Sequence, residues 1–316
     1  LIEKVLKNYS GDYPPDVKRE IDLLLRRHLR RPVIYVGTGT CGIAAGADAT
    51  LKAAKEYLKI NQLEADLIEV GCVGLCSAEP LLDYQAPGRA RVSFQHVTAD
   101  KVYEILEECF HNHISDEHVL GQVASEGHEL WHGIPLIQEN PFFKKQHRIL
   151  LYDCGEISPT NRDEYIARDG YKAFLKVLMN YPPEEVCNIV GQSGLKGRGG
   201  GGFPTATKWN NARLMASDKK FVICNADESD PGAYMDRALV ESNPYRLIEG
   251  ISIAAYAVGA SKAYIYIRSE YNLAVKRLQN SLIRAKEAGF LGENIFNSGF
   301  NLKIILCQGP GAFVCG

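Results

Sequence analysis

Residues 194 to 205 read GLKGRGGGGFPT, with six glycines in nine residues beside Lys196 and Arg198. Glycine lets backbone amides turn toward a ligand through angles closed to other residues, and lets that ligand touch the main chain. Ordinary packing does not ask for this density, whereas gripping a phosphate does. A flexible linker would be padded with serine, not bounded by Phe203-Pro204 and Lys208-Trp209. The run is not a P-loop, because Phe203-Pro204 stands where Lys-Ser/Thr would follow the last glycine. The dinucleotide fingerprint can be laid on Gly197, Gly199 and Gly202, but no strongly apolar strand leads into it.

A second constellation follows the apolar run Phe221-Val-Ile-Cys224. Asn225, Asp227, Glu228 and Asp230 crowd the next six positions, ahead of Pro231-Gly232 and Asp236-Arg237. A buried strand ending in carboxylates and amides puts polar groups where open α/β sheets take their ligands. Turn chemistry alone accounts for some of these residues, though not for so many acids. Beside a phosphate cradle, carboxylates suit donors such as hydroxyls and ring N–H groups.

These motifs, with Asn243-Pro244, Ile267-Arg268, Glu270-Tyr271 and the closing Gly311-Ala-Phe-Val-Cys-Gly316, resemble the flavin subunit of respiratory complex I. The related subunits of NAD-linked hydrogenases and formate dehydrogenases share the pattern. The resemblance runs in order from about residue 150 to 316. It implies FMN as cofactor, hydride exchange with NAD(H), and single-electron transfer to iron–sulfur clusters. Carried over by residue, it puts Gly197, Arg198, Gly199, Gly200 and Gly202 along the flavin phosphate and ribityl chain, with Lys208 adding a cation. It puts Asn225, Asp227 and Glu228 on the ribityl chain and ring edge, Phe203 in a stack on the NAD, and Asp230 near the nucleotide. No side chain need act as nucleophile or general base. The chain departs from the pattern at Asp230, where relatives more often carry Glu, at Asn211, where an aromatic is common, and at Phe313, where many have Tyr. These departures motivate a rival from another class, a non-catalytic docking subunit.

The N-terminal third orders a strand at Val33–Val36, a loop with Cys41, a helix from Ala44 to Lys59 and a strand at Asp66–Val70. After these come Cys72 and Cys76, strands at Leu81–Tyr84 and Ala90–Phe94, and a helix from Ala99 to Phe110. This order resembles thioredoxin-like [2Fe-2S] ferredoxins, including the small subunit that partners the flavin subunit in complex I. Thiolates hold such clusters, and the resemblance aligns Cys41, Cys72 and Cys76 with three of the four ligands. The fourth position is Val36. The alternative is a docking module whose cysteines are small buried hydrophobes.

Taken together, the fold class is α/β. A helical lead-in (1–31) precedes a thioredoxin-like domain (32–112), a connector (113–147) and an FMN/NAD-binding domain of the complex I flavin-subunit type (148–316). The family continues with a pair of glutamates, a ubiquitin-like domain and a four-cysteine [4Fe-4S] segment that are not in this chain, so the FMN domain is expected to be incomplete at its C-terminus. With 316 residues, 46% of them apolar, the chain can build two cores. Its net charge of -2 gives no reason to expect nucleic acid, and the Arg26–Arg31 cluster reads as a solvated helix end. No apolar run approaches the roughly 20 residues that cross a bilayer, so a membrane link would go through another subunit. Nine scattered cysteines and no targeting segment fit a reducing, cytoplasmic setting. The expected partners are a small ferredoxin-like [2Fe-2S] subunit and other members of an electron-transfer complex.

Overall fold

The computed structural model of the chain describes Val5 and residues 13–115, 117–198 and 200–315. It divides into two units, one built from 18–159 with 241–243, the other from 160–240 and 244–316 with the N-terminal residues.

The first unit takes α1 (Pro15–Leu24) from residue 18 onward and then β1 (Val33–Gly37), a strand buried on both faces. Ile34 and Val36 face one core and Val33 and Tyr35 the other, the period-two alternation of a pleated strand. Next come α2 (Thr40–Ala45) and α3 (Ala47–Ile60), read from sequence as a single helix from Ala44. Gly46 divides them: at φ 108° it is left-handed and returns its N–H to the carbonyls of Gly42 and Ile43 as a C-cap. Strands β2 (Asp66–Val70), β3 (Leu82–Gln85) and β4 (Arg91–Phe94) follow, with α4 (Val102–Phe110) and β5 (Val119–Val123).

The sheet order is β2-β1-β3-β4-β5. β1 and β2 are parallel across the helical crossover, and β3 and β4 form an antiparallel pair beside β1. A βαβ unit followed by ββα is the arrangement expected of the thioredoxin-like domain. Ala53, Ala54 and Tyr57 of α3 and Val102, Ile105 and Leu106 of α4 close one core over Ile34, Val36, Leu82, Tyr84, Val92 and Phe94. The stretch read as a connector contributes β5, which pairs with β4. Residues 149–156 are turns belonging to this unit rather than the start of the next. Arg26 is not solvated: it is buried, with its guanidinium 5.4 Å from the Tyr35 ring centre, and Arg91 stacks on the same ring at 3.7 Å.

The second unit carries α5 (Arg162–Ala167), α6 (Lys172–Asn180), α7 (Pro183–Gln192), α8 (Thr205–Leu214) and β6 (Phe221–Ala226). It continues through α9 (Met235–Ser242), α10 (Pro244–Val258), β7 (Lys262–Arg268), α11 (Asn272–Glu287) and β8 (Lys303–Gly309). β6, β7 and β8 form a parallel sheet in that order. α10, mostly buried, packs against β6 and β7 and against α6, α7, α8 and α11. Its Glu249 carboxylate accepts the N–H groups of Tyr171 (2.8 Å) and Phe174 (3.1 Å) and the Tyr165 hydroxyl. That supplies the cap that the first turn of α6 otherwise lacks.

Candidate flavin site and cysteine cluster

The glycine run is a loop with a closed neck. Lys196 and Pro204 form an antiparallel bridge, Gly197 N–H donates to the Phe203 carbonyl at 2.8 Å, and Thr205 N–H donates to the Leu195 carbonyl at 3.0 Å. The tip holds Arg198, Gly200, Gly201 and Gly202; Gly199 lies outside the described residues. Gly200 (φ 99°) and Gly202 (φ 58°) occupy the left-handed region, which a side chain would strain. A Cβ added at Gly200, Gly201 or Gly202 would meet nothing within 4 Å. The space beside this backbone is open.

The loop feeds straight into α8. No side chain caps the start of that helix, its first turn holds no acid, and Lys208 is exposed there. Thr205 N–H is taken by Leu195, but a helix start with no side-chain cap over its next amides, and with a cation beside it, suits an anion. Phe203 is 51% exposed, giving its ring room to stack, and Trp209 packs against Val186, Cys187 and Ala257. The glycine cradle and its flanking cations, Arg198 and Lys208, therefore fit the phosphoryl end of FMN.

The acidic turn sits at the carboxyl end of β6, where the three parallel strands end together. Asp227 and Glu228 are buried, and both carboxylates are engaged by the chain itself. Asp227 accepts from Ala312 N–H (3.1 Å) and the Ser229 hydroxyl (3.0 Å). Glu228 accepts the N–H groups of Asp236 (2.9 Å) and Arg237 (3.0 Å) at the start of α9, and its carbonyl takes the Arg268 guanidinium and the Tyr271 hydroxyl, each at 3.1 Å. Burial, and next the Glu228 charge, push the Asp236 carboxyl up. Asn225 and Asp230 are exposed at this edge. The departures Asn211 and Phe313 are exposed as well.

Segments after β6, β7 and β8 thus knot together at one sheet edge. Gly309 is needed there because any Cβ would stand 2.1 Å from the Tyr266 hydroxyl. Arg268 and Tyr271 are working residues to which the sequence reading gave no role; their signal was a polar cluster directly after an apolar strand. The glycine loop and the acidic turn belong to one unit and are joined through α10, which packs against α8 and β6 alike.

In the other unit, Cys41 stands in α2, whose first N–H is taken by Glu241 at 2.8 Å, while Cys72 and Cys76 lie on the loop after β2. The three sulfurs lie within 4.8 Å of one another. The sequence reading missed Glu79, which is 6% exposed and reaches the Cys41 sulfur at 3.7 Å. Its carboxyl is pushed up to about 7, by burial first, offset in part by the Leu81 N–H. Burial also raises Cys76, and the neighbouring Cys72 thiol followed by burial raises Cys41.

A parallel sheet with polar groups at its carboxyl edge, preceded by an open glycine cradle leading into a helix, defines a nucleotide-type cofactor domain of the α/β class. Residues 190–316 match the family described as Nuo51 FMN-binding domain. The chain is 51% identical over 173 residues to the NADP-reducing hydrogenase subunit HndC of Solidesulfovibrio fructosivorans, covering 55% of this chain and 35% of that one. It is 49% identical over 154 residues to a subunit of the NADH-quinone oxidoreductase of Aquifex aeolicus, covering 49% of this chain and 36% of the relative. The chain therefore spans about a third of the length of these relatives. Along 98% of the chain it is also similar to a NAD+-reducing [NiFe]-hydrogenase, at 24% identity and a TM-score of 0.42 over 49% of that chain. Among the described residues no helix is long and apolar enough to cross a membrane.

Proposed function

We propose that this chain is the FMN-carrying part of an NAD(H)-linked dehydrogenase that works within a multi-subunit electron-transfer complex. The observation that carries the proposal is the loop tip, where Gly200, Gly201 and Gly202 leave open space beside the backbone inside a segment that matches an FMN-binding family. Bound FMN would supply the chemistry, exchanging a hydride with nicotinamide and releasing electrons one at a time. The protein's part is positioning and charge. Arg198 and Lys208 neutralise the phosphate, the backbone of Gly200 to Gly202 lies along it while Gly197 closes the neck of the loop, and Phe203 stacks on the nicotinamide nucleotide. Asn225 and Asp230 present polar atoms to the ring and nucleotide. Asp227 and Glu228 act one layer deeper, locking the floor of the site by holding Ala312, Asp236 and Arg237 in place.

Electrons would leave to iron–sulfur centres on partner subunits, among them a small ferredoxin-like [2Fe-2S] subunit. A cytoplasmic setting fits the free thiols of the eight cysteines among the described residues. In the purified chain we expect stoichiometric FMN and NADH-dependent reduction of an artificial electron acceptor. A chain that takes up no FMN and reduces no acceptor would instead be a docking subunit that has kept the fold and lost the chemistry.

A further inference from the structure

The cysteine cluster holds more than three sulfurs. Cys41 and Cys72 sulfurs are 3.0 Å apart, those of Cys72 and Cys76 are 3.8 Å apart, and all three fall within 4.8 Å of one another. Glu79 brings Oε1 to 3.7 Å from the Cys41 sulfur, while its Oε2 accepts Leu81 N–H at 2.9 Å. Among the described residues no cation pairs with this buried carboxylate. Removing a carboxylate from water without a positive partner is costly. Three thiolates pointed at the same spot would add to that cost.

We propose that Cys41, Cys72, Cys76 and Glu79 form a site for one tetrahedral divalent metal ion of the zinc class. A tetrahedron with arms of ~2.3 Å has edges of ~3.8 Å; the Cys72–Cys76 separation of 3.8 Å matches that length and the Cys41–Cys72 separation of 3.0 Å is shorter. A [2Fe-2S] cluster instead divides four thiolates into two pairs on two irons, and the residues do not fit it. The position for the fourth thiolate is Val36, whose side chain is fully buried in the apolar core with Ile34, Leu82 and Tyr84. It is the next residue, Gly37, that borders Glu79, where an added Cβ would stand 3.1 Å from Oε2.

The supporting hydrogen bonds are those of a ligand set. Gly74 N–H donates to the Cys72 sulfur at 3.2 Å from a left-handed turn (φ 95°), and Leu81 N–H fixes the orientation of the Glu79 carboxylate. Thiolates select a soft or borderline ion over Mg2+ or Ca2+, and the carboxylate favours Zn2+ over Cu+. With four protein ligands the coordination sphere is closed, so the site is structural: it clamps the loop after β2 to α2. Exposed Cys76 gives the ion its way in. This inference does not rest on the flavin reading.

The test uses the full chain, stripped by chelator and titrated separately with Zn2+ and Co2+. We expect one equivalent of either ion, the intense visible bands of tetrahedral Co2+ with thiolate charge transfer, and a melting temperature that rises with Zn2+ concentration. X-ray absorption of the zinc-loaded protein should show three sulfur neighbours and one oxygen, a readout that needs no variant to fold. Glu79→Gln should weaken Zn2+ at least tenfold and change the Co2+ bands. Two irons with two inorganic sulfides per chain as isolated, octahedral Co2+, or unchanged affinity and spectrum in Glu79→Gln would each overturn the proposal.

Discussion

Glycine serves opposite purposes in the two candidate sites. Around the cysteine cluster it is demanded by the chain's own atoms: a Cβ at Gly42 would lie 2.1 Å from the Gly37 carbonyl, and one at Gly39 would lie 2.9 Å from Cys72 Cβ. At the tip of the loop after α7, Gly200, Gly201 and Gly202 border nothing at all. The first arrangement is a backbone packed to contact so that three cysteine side chains converge. The second keeps a volume clear along exposed amides. Glycines that the fold requires and glycines that a ligand requires look the same in a sequence, and only what lies beside them tells the two apart.

The largest expected effect is at the closed site. Gly42→Ala drives a methyl into backbone, so we expect a loss of about 3 kcal/mol, read as a lower urea midpoint for the thioredoxin-like unit. An unchanged midpoint would mean that the packing around Cys41 is looser than described.

Next is Glu249, which shows that the openness at Gly200 to Gly202 is local and not a property of a slack unit. Its carboxylate meets three donors. Glu249→Gln would turn an amide group toward some of them, at a cost of about 2 kcal/mol in thermal or urea unfolding. Burial raises the Glu249 pKa despite those hydrogen bonds. The folded state therefore keeps a proton that the unfolded chain, with a carboxyl near 4.3, has lost. The stabilisation is fully present below that value and falls away as pH rises through the folded pKa. The pH dependence of unfolding above about 4.3 should be flatter in Glu249→Gln than in the natural chain.

Gly201→Ala isolates the open site. Stability should stay within about 0.5 kcal/mol because the methyl meets no protein atom, while FMN affinity should fall about tenfold, or 1.4 kcal/mol. The smallest effect is Lys208→Ala, for which a several-fold weakening that shrinks at high salt is expected, since an exposed cation acts through a screened field. Equal losses at all salt concentrations would show that Lys208 contributes something other than charge.

Much of this arrangement was legible in the chain. The run Pro244 to Val258 is apolar enough to announce a buried helix, and α10 spans those residues. The apolar run Val33–Val36 and the order of strands and helices that follow gave the thioredoxin-like topology. What could not be read is where buried charges go. Glu79, Glu241 and Glu249 look like ordinary surface acids until tertiary structure supplies Cys41, Thr40 and Tyr171 as partners. The same holds for Asp227 and Glu228. Their clustering marked the sheet edge, but that they support the site floor from below follows only from the amides of Ala312, Asp236 and Arg237 that reach them.

The most direct measurement is equilibrium titration of the purified chain with FMN, followed by flavin fluorescence, with Gly201→Ala run in parallel and shown folded by its unfolding midpoint. The account predicts one FMN per chain in the natural protein and a binding curve shifted about tenfold in the variant. No saturable binding, or identical curves for the two proteins, would contradict it.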